Sequence, residues 1–160
     1  MNTRKESDSM GELTVPDSAL YGAQTQRAIN NFPVSGQGMP KSFIHALIQI
    51  KATAASVNAA LNEIPDEMAQ AICKASSTLL DDPDLMQHFP VDIFQTGSGT
   101  STNMNANEVL ATLASRIYGH PISPNDHINR GQSSNDVTPS ALHTSAAVEL
   151  SEQLLPALHH

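Results

Sequence analysis

Gln95-Thr96-Gly97-Ser98-Gly99-Thr100 is the stretch on which the reading of this chain turns. A short run of hydroxyls, amides and glycines gives way to a helical pattern from about Ser101 to Tyr118. That pattern carries Val109, Leu113 and Ile117 on one face and ends at Gly119, a natural helix stop. The layout recurs at Gln132-Ser133-Ser134-Asn135-Asp136, ahead of the longest helical pattern, about Val137 to His159. There Leu142, Ala146, Leu150, Leu154 and Leu158 repeat every four residues, and Val137, Ala141, Val148 and Leu155 widen the apolar face. Two polar runs, each opening a long helix, predict a mainly α fold with at most a little β. An apolar face as broad as the last one needs a partner.

The rest of the chain agrees. Phe43, Leu47, Ile50, Ala54, Val57 and Leu61 form a stripe that predicts a helix over Lys41–Leu61. Ile64-Pro65-Asp66-Glu67 restarts a helix with proline in its first turn and acids at its positive end. Met68, Ile72, Ala75 and Leu79 are its apolar face, and Asp82-Pro83 ends it. A helical turn over Asp84–His88 and a brief extended link over Pro90–Phe94 follow. Residues His120–Arg130, with two prolines, read as an irregular loop. Upstream, a helix over Tyr21–Asn30 precedes a loop rich in proline and glycine, Phe32–Pro40. Leu13–Val15 reads as extended, and residues 1–12 as a flexible lead-in.

Composition excludes several functions. The chain has 160 residues, a net charge of −8 and only 8 lysines and arginines. That leaves no basic stripe for nucleic acid and no polybasic patch for a membrane. No segment approaches the ~18 unbroken apolar residues of a membrane span. The lead-in has no apolar signal region and no Arg-rich amphipathic character, so the expectation is a cytoplasmic protein. The single cysteine, Cys73, forms no internal disulfide and reads as a small core residue. The seven histidines show no metal-ligand spacing. His143 reads as a polar-face or packing residue, and His159 and His160 as the end of the chain or a tag.

The polar runs support a specific chemistry. A small doubly charged acid presents carboxylate oxygens that need donors, and hydroxyls, amides and helix-start N–H groups supply them without a lysine. Gly97 and Gly99 let the backbone approach a ligand closely. Asn103 and Asn107 lie one turn apart on one face. A second reading stays open at this level: Ser, Thr, Asn and Asp are ordinary helix caps, and Gly-Ser-Gly is an ordinary turn.

Phe94-Gln95-Thr96-Gly97-Ser98-Gly99-Thr100-Ser101-Thr102-Asn103-Met104-Asn105-Ala106-Asn107-Glu108-Val109 resembles a signature of class II fumarases, the fumarate hydratases. So do Pro124-Asn125-Asp126-His127-Ile128-Asn129, Gln132-Ser133-Ser134-Asn135-Asp136 and, upstream, Leu20-Tyr21-Gly22-Ala23-Gln24-Thr25-Gln26-Arg27-Ala28. The resemblance runs in order from about Gly11 to the end. Aspartate ammonia-lyases share the scaffold, but their second run usually reads Gln-Ser-Thr-Asn-Asp; Ser98-Gly99-Thr100 and Ser133-Ser134 point to fumarase.

The resemblance implies reversible hydration of fumarate to L-malate without a cofactor or metal. It implies substrate binding by Ser98, Gly99 and Thr100 and by Ser133, Ser134 and Asn135, with Asn103 and Asn107 as further candidates. It also implies a second, peripheral anion site at Ser123, Pro124, Asn125 and Asp126. The chain departs from the family there. Ser123 stands where histidine is frequent, and the basic residue the family has slightly upstream is not found, which leaves His120 and His127 as substitutes.

By the same resemblance, residues 13–136 form the N-terminal lyase domain, and 137–160 begin the central helical bundle through which the family forms homotetramers. The catalytic serine loop and the water-activating histidine are expected beyond residue 160. The chain alone is then expected to be inactive. Two other expectations compete: part of an aspartate ammonia-lyase-like enzyme, or a non-catalytic assembly module.

Overall fold

The computed structural model describes residues 2–159; Met1 of the lead-in and the terminal His160 lie outside them. The chain opens with an antiparallel hairpin, β1 (Thr3–Asp8) and β2 (Gly11–Pro16), in register from Thr3 opposite Pro16 to Asp8 opposite Gly11. Residues 3–8 and 11–12 of the lead-in thus lie in the two strands. Val15 of β2 is buried in the core, and polar contacts pin β1. Arg4 donates to the carbonyls of Pro16, Ala19 and Tyr21 at 2.8–2.9 Å. Arg27 grips Asp8 at 2.7 and 2.9 Å and holds its carboxyl below the usual range.

Helices α1 (Ala23–Asn31), α2 (Lys41–Ala60), α3 (Asp66–Leu80) and α4 (Thr100–Tyr118) fall where the periodicity predicts them. A 3₁₀ turn spans Leu85–His88, and the 90–94 link makes one antiparallel bridge, Gly38 to Asp92. Helix α3 packs between α2 and α4. Its predicted face, Met68, Ile72, Ala75 and Leu79, is buried with Ile44, Leu47, Ile48, Val109 and Leu110. Burying such side chains stabilises the fold by roughly 1.5–3 kcal/mol each. Cys73 is only half-buried; its thiol lies 3.3 Å from Ser56 Oγ.

The predicted stripe of α2 drifts out of phase. Val57 and Leu61 are exposed, and the enclosed line runs through Phe43, Leu47, Lys51 and Ala55. The reason is that α2 is gripped from two sides, by α3 and by α5 (Ser134–Glu149). The 120–130 loop is also more ordered than expected, with a π-helical turn over Pro124–Ile128.

Helix α5 starts three residues before the predicted Val137. It continues through a π turn, Leu150–Leu154, into α6 (Leu155–Leu158). Pro156 has no N–H to offer Glu152, and the widened turn precedes it. Val137 and Ala141 are buried, while Leu142, Val148, Leu150, Leu154, Leu155 and Leu158 are exposed. No helix of the described residues is long and apolar enough to cross a membrane.

Candidate functional site

The two polar runs meet. Thr100 Oγ1 lies 3.0 Å from Ser134 Oγ, so the first residues of α4 and α5 touch through their hydroxyls. Gly99 is the second contact. A β-carbon there would fall 2.8 Å from Thr138 Cγ2, so glycine permits α5 to sit this close.

The run before α4 is held from behind. Gln95 Nε2 donates to Asp92 O at 2.8 Å and to Thr102 Oγ1 at 2.7 Å, and Gln95 Oε1 accepts from Thr102 N–H at 2.7 Å. Asp92 in turn is buried, which opposes its charge. Donors from Ser35, Gly36 and Phe94 more than compensate and hold its carboxyl at about 2. Between these anchors a 3₁₀ turn spans Gly97–Gly99. Ser98 (φ 62°) and Gly99 (φ 65°) are both left-handed, a conformation costly for serine. The N-cap of α4 is Gly99, and no side chain of that residue caps the helix. Ser98 is exposed and its hydroxyl makes no hydrogen bond among the described residues.

The run before α5 is finished differently. Ser133 is the N-cap, and its Oγ accepts from Asn135 N–H at 3.3 Å. The capping reading therefore holds for Ser133 and fails for Ser98 and Thr100. Asn135 and Ser133 are exposed, as is Ser98. A cleft of about 280 Å³ beside Thr96 and Thr100 is lined also by Gln24, Arg27 and Met104.

Asn103 and Asn107 do share a face, but the structure buries both. Each Nδ2 donates to Asn129 Oδ1 at 3.2 Å, and Lys51 Nζ donates to the same oxygen at 2.8 Å. Sequence reasoning assigned no role to Lys51 or Asn129. The available signal was phase: Lys51 continues the four-residue step of Phe43 and Leu47. It likewise missed Glu108, whose buried carboxylate accepts from the N–H groups of Gly22, Gln24 and Thr25 and from Thr25 Oγ1 at 2.6–3.0 Å. This carboxylate caps α1 from across the fold.

The Ser123–Asp126 segment closes on itself. Ser123 N–H donates to His127 Nδ1 at 2.9 Å, Ser123 Oγ donates to Asp126 Oδ2 at 2.7 Å and accepts from Asp126 N–H at 3.1 Å. Pro124 starts the π turn, and Asn125 is exposed. His120 packs edge-on against Tyr118, with ring centroids 5.6 Å apart. His143 is exposed on α5, as its polar-face reading expects. No group of three or more His, Cys, Asp or Glu converges among the described residues.

A family model described as lyase matches residues 11–160. The chain is 64% identical over 159 residues to "Fumarate hydratase class II 2" of Pseudomonas aeruginosa, covering 99% of this chain and 34% of that relative. It is 59% identical to a class II fumarate hydratase of Xylella fastidiosa, covering 98% of this chain and 33% of that one. Among solved structures it is similar to a class II fumarase from Schistosoma mansoni, with a TM-score of 0.93 and 42% identity over 99% of this chain and 35% of the other. A structure from Brucella melitensis titled fumarate lyase:delta crystallin superposes with a TM-score of 0.91 at 40% identity, over 99% of this chain and 38% of that one. The chain spans about a third of the length of the curated relatives it matches.

Proposed function

We propose, since this chain belongs to the lyase family, that it supplies the dicarboxylate-binding portion of a class II fumarate hydratase, which adds water reversibly to fumarate to give L-malate. The observation that carries the proposal is the convergence of Thr100 and Ser134 at the mouths of two helices. The names of the relatives support fumarate over aspartate as substrate.

In this reading Ser98, Gly99 and Thr100 bind substrate from one side, and Ser133, Ser134 and Asn135 from the other. Two helix N-termini add their partial positive charge. In the dehydration direction, a proton leaves the carbon next to one carboxylate, and charge builds on that carboxylate as an aci form. Hydroxyl and N–H donors fixed there stabilise this charge more than the ground state, while the hydroxyl on the neighbouring carbon takes up a proton and leaves as water. The group that takes the proton belongs to the catalytic serine loop expected beyond residue 160. No cofactor enters the reaction.

An anion at Ser123, Pro124, Asn125 and Asp126 would have to displace the Asp126 carboxylate from the Ser123 hydroxyl. A homotetramer and a cytoplasmic location belong to the same proposal. The exposed leucines of α5 and α6 support assembly through that face.

The test is an ultraviolet assay of the complete protein that contains this chain. Fumarate should be consumed and malate formed, with no ammonia released from L-aspartate. Aspartate turnover without hydration would replace this reading by the ammonia-lyase one. A folded, oligomeric protein active on neither would replace it by the assembly-module one.

A further inference from the structure

Lys51 is the largest fully enclosed side chain among the described residues. It lies midway along α2, and no salt bridge among the described residues includes it. Carboxylates on the surrounding elements are engaged elsewhere or exposed. Glu108 is committed to residues 22–25, Asp126 is held by Ser123, and Asp136 faces solvent. Burial alone pushes the ammonium down to about 7. A buried cation without a counter-charge is costly, and apolar side chains of similar volume fit such places better.

What Lys51 touches gives it a use. Its Nζ donates to Asn129 Oδ1 at 2.8 Å, the oxygen that also accepts from Asn103 and Asn107. Asn129 Nδ2 donates to Gln132 O at 3.1 Å, and Gln132 Nε2 returns to Ile128 O at 2.9 Å. Asn103 lies one turn beyond Thr100, and Gln132 immediately precedes Ser133. One amide side chain therefore joins α2, the first turns of α4 and the segment entering α5. The buried oxygens of Asn103, Asn107 and Gln132 have no hydrogen-bond partner, so the cluster is rich in acceptors. A short, charge-assisted donor is what fixes its centre.

We propose that Lys51 is a positioning residue of the dicarboxylate pocket, holding Asn129 as the joint that registers the mouth of α4 against the mouth of α5. The proposal rests on the fumarate hydratase reading for its kinetic part. Lys51 touches no reacting atom; it acts by placing the hydroxyls of Thr100 and Ser134 on one carboxylate. Misplacement of a binding group by about 1 Å costs on the order of 100-fold in rate.

The experiment uses the complete protein with K51M, N129L and the double variant. Each folded single variant should lower kcat/KM for fumarate by roughly 10–100-fold, mostly through KM. The double variant should lose no more than the worse single one, because the two residues act as one joint. Amide hydrogen exchange should rise together at residues 97–103 and 129–137, with α3 unchanged. A structural role only would lower the melting temperature and leave kcat/KM of the folded protein intact; that result overturns the proposal. If K51M does not fold, N129L decides: unchanged exchange and kinetics overturn the proposal, and the paired changes support it. If the unsubstituted protein does not hydrate fumarate, the functional reading falls, and the exchange pattern still decides the role of Lys51.

Discussion

At the mouth of α5, Ser133 caps its own helix, and its hydroxyl is occupied by the N–H of Asn135. At the mouth of α4 the cap position is glycine, and the serine before it is held left-handed with its hydroxyl in solvent. Both runs draw on glutamine and serine. One uses its serine to begin a helix; the other holds its serine in an unfavourable backbone conformation that capping does not require. Strain of this kind persists where the surroundings enforce it, and here Gln95, Asp92 and the Gly99–Thr138 contact do so. The contrast sets a hydroxyl already engaged in a helix cap beside one that makes no hydrogen bond among the described residues.

The largest expected effect is at Gly99. G99A puts a methyl group 2.8 Å from Thr138 Cγ2 at a φ of 65°. It should cost roughly 2–4 kcal/mol in urea unfolding. Adding T138S should recover about 1 kcal/mol by removing the clashing methyl. Failure of that rescue would break the claim that close approach of α5 dictates the glycine.

Next comes pH, through the lysine beneath both mouths. The Lys51 amine has a folded-state value of about 7, below its ordinary 10.5. Between these values the unfolded chain binds a proton that the folded chain does not. Stability therefore rises with pH in that window, and the cost of burying the ammonium is complete below it. The wild type should gain roughly 2 kcal/mol relative to K51M between pH 7 and pH 9, read from urea midpoints. Equal slopes would remove Lys51 as a buried titrating group.

The smallest effects have opposite signs. S133A should lose about 1 kcal/mol of stability by removing the cap of α5. S98G should gain about 1 kcal/mol by relieving the left-handed serine, and yet lower fumarate turnover by removing a ligand donor. Thermal melts and the ultraviolet assay read both. A destabilised S98G with full activity would erase the distinction between the two mouths.

Much of this was legible in the residues. The face of α3 repeats cleanly because one pair of neighbours covers it. The stripe of α2 was misjudged from Ile50 onward because two helices grip it, and periodicity carries no information about a second partner. Leu13–Val15 was legible as extended and lies in β2, whereas β1 was not, because Arg4 and Arg27 hold it through polar contacts. The polar runs stood out as a candidate site, but their hydroxyl contact is a long-range fact that spacing does not encode. Asn103 and Asn107 were placed correctly on one face. Their burial against Lys51 and Asn129 depended on where the 129–132 segment returns. Hydropathy reads a lysine as surface, so Lys51 was masked by its own residue type.

The most direct test of the central claim follows fumarate by ultraviolet absorbance with this chain alone, with the remainder of the protein supplied separately, and with both together. The account predicts loss of fumarate only when both are present, and its sharp reduction when the chain carries S98A. Turnover by this chain alone, or none from a folded and assembled mixture, would contradict it.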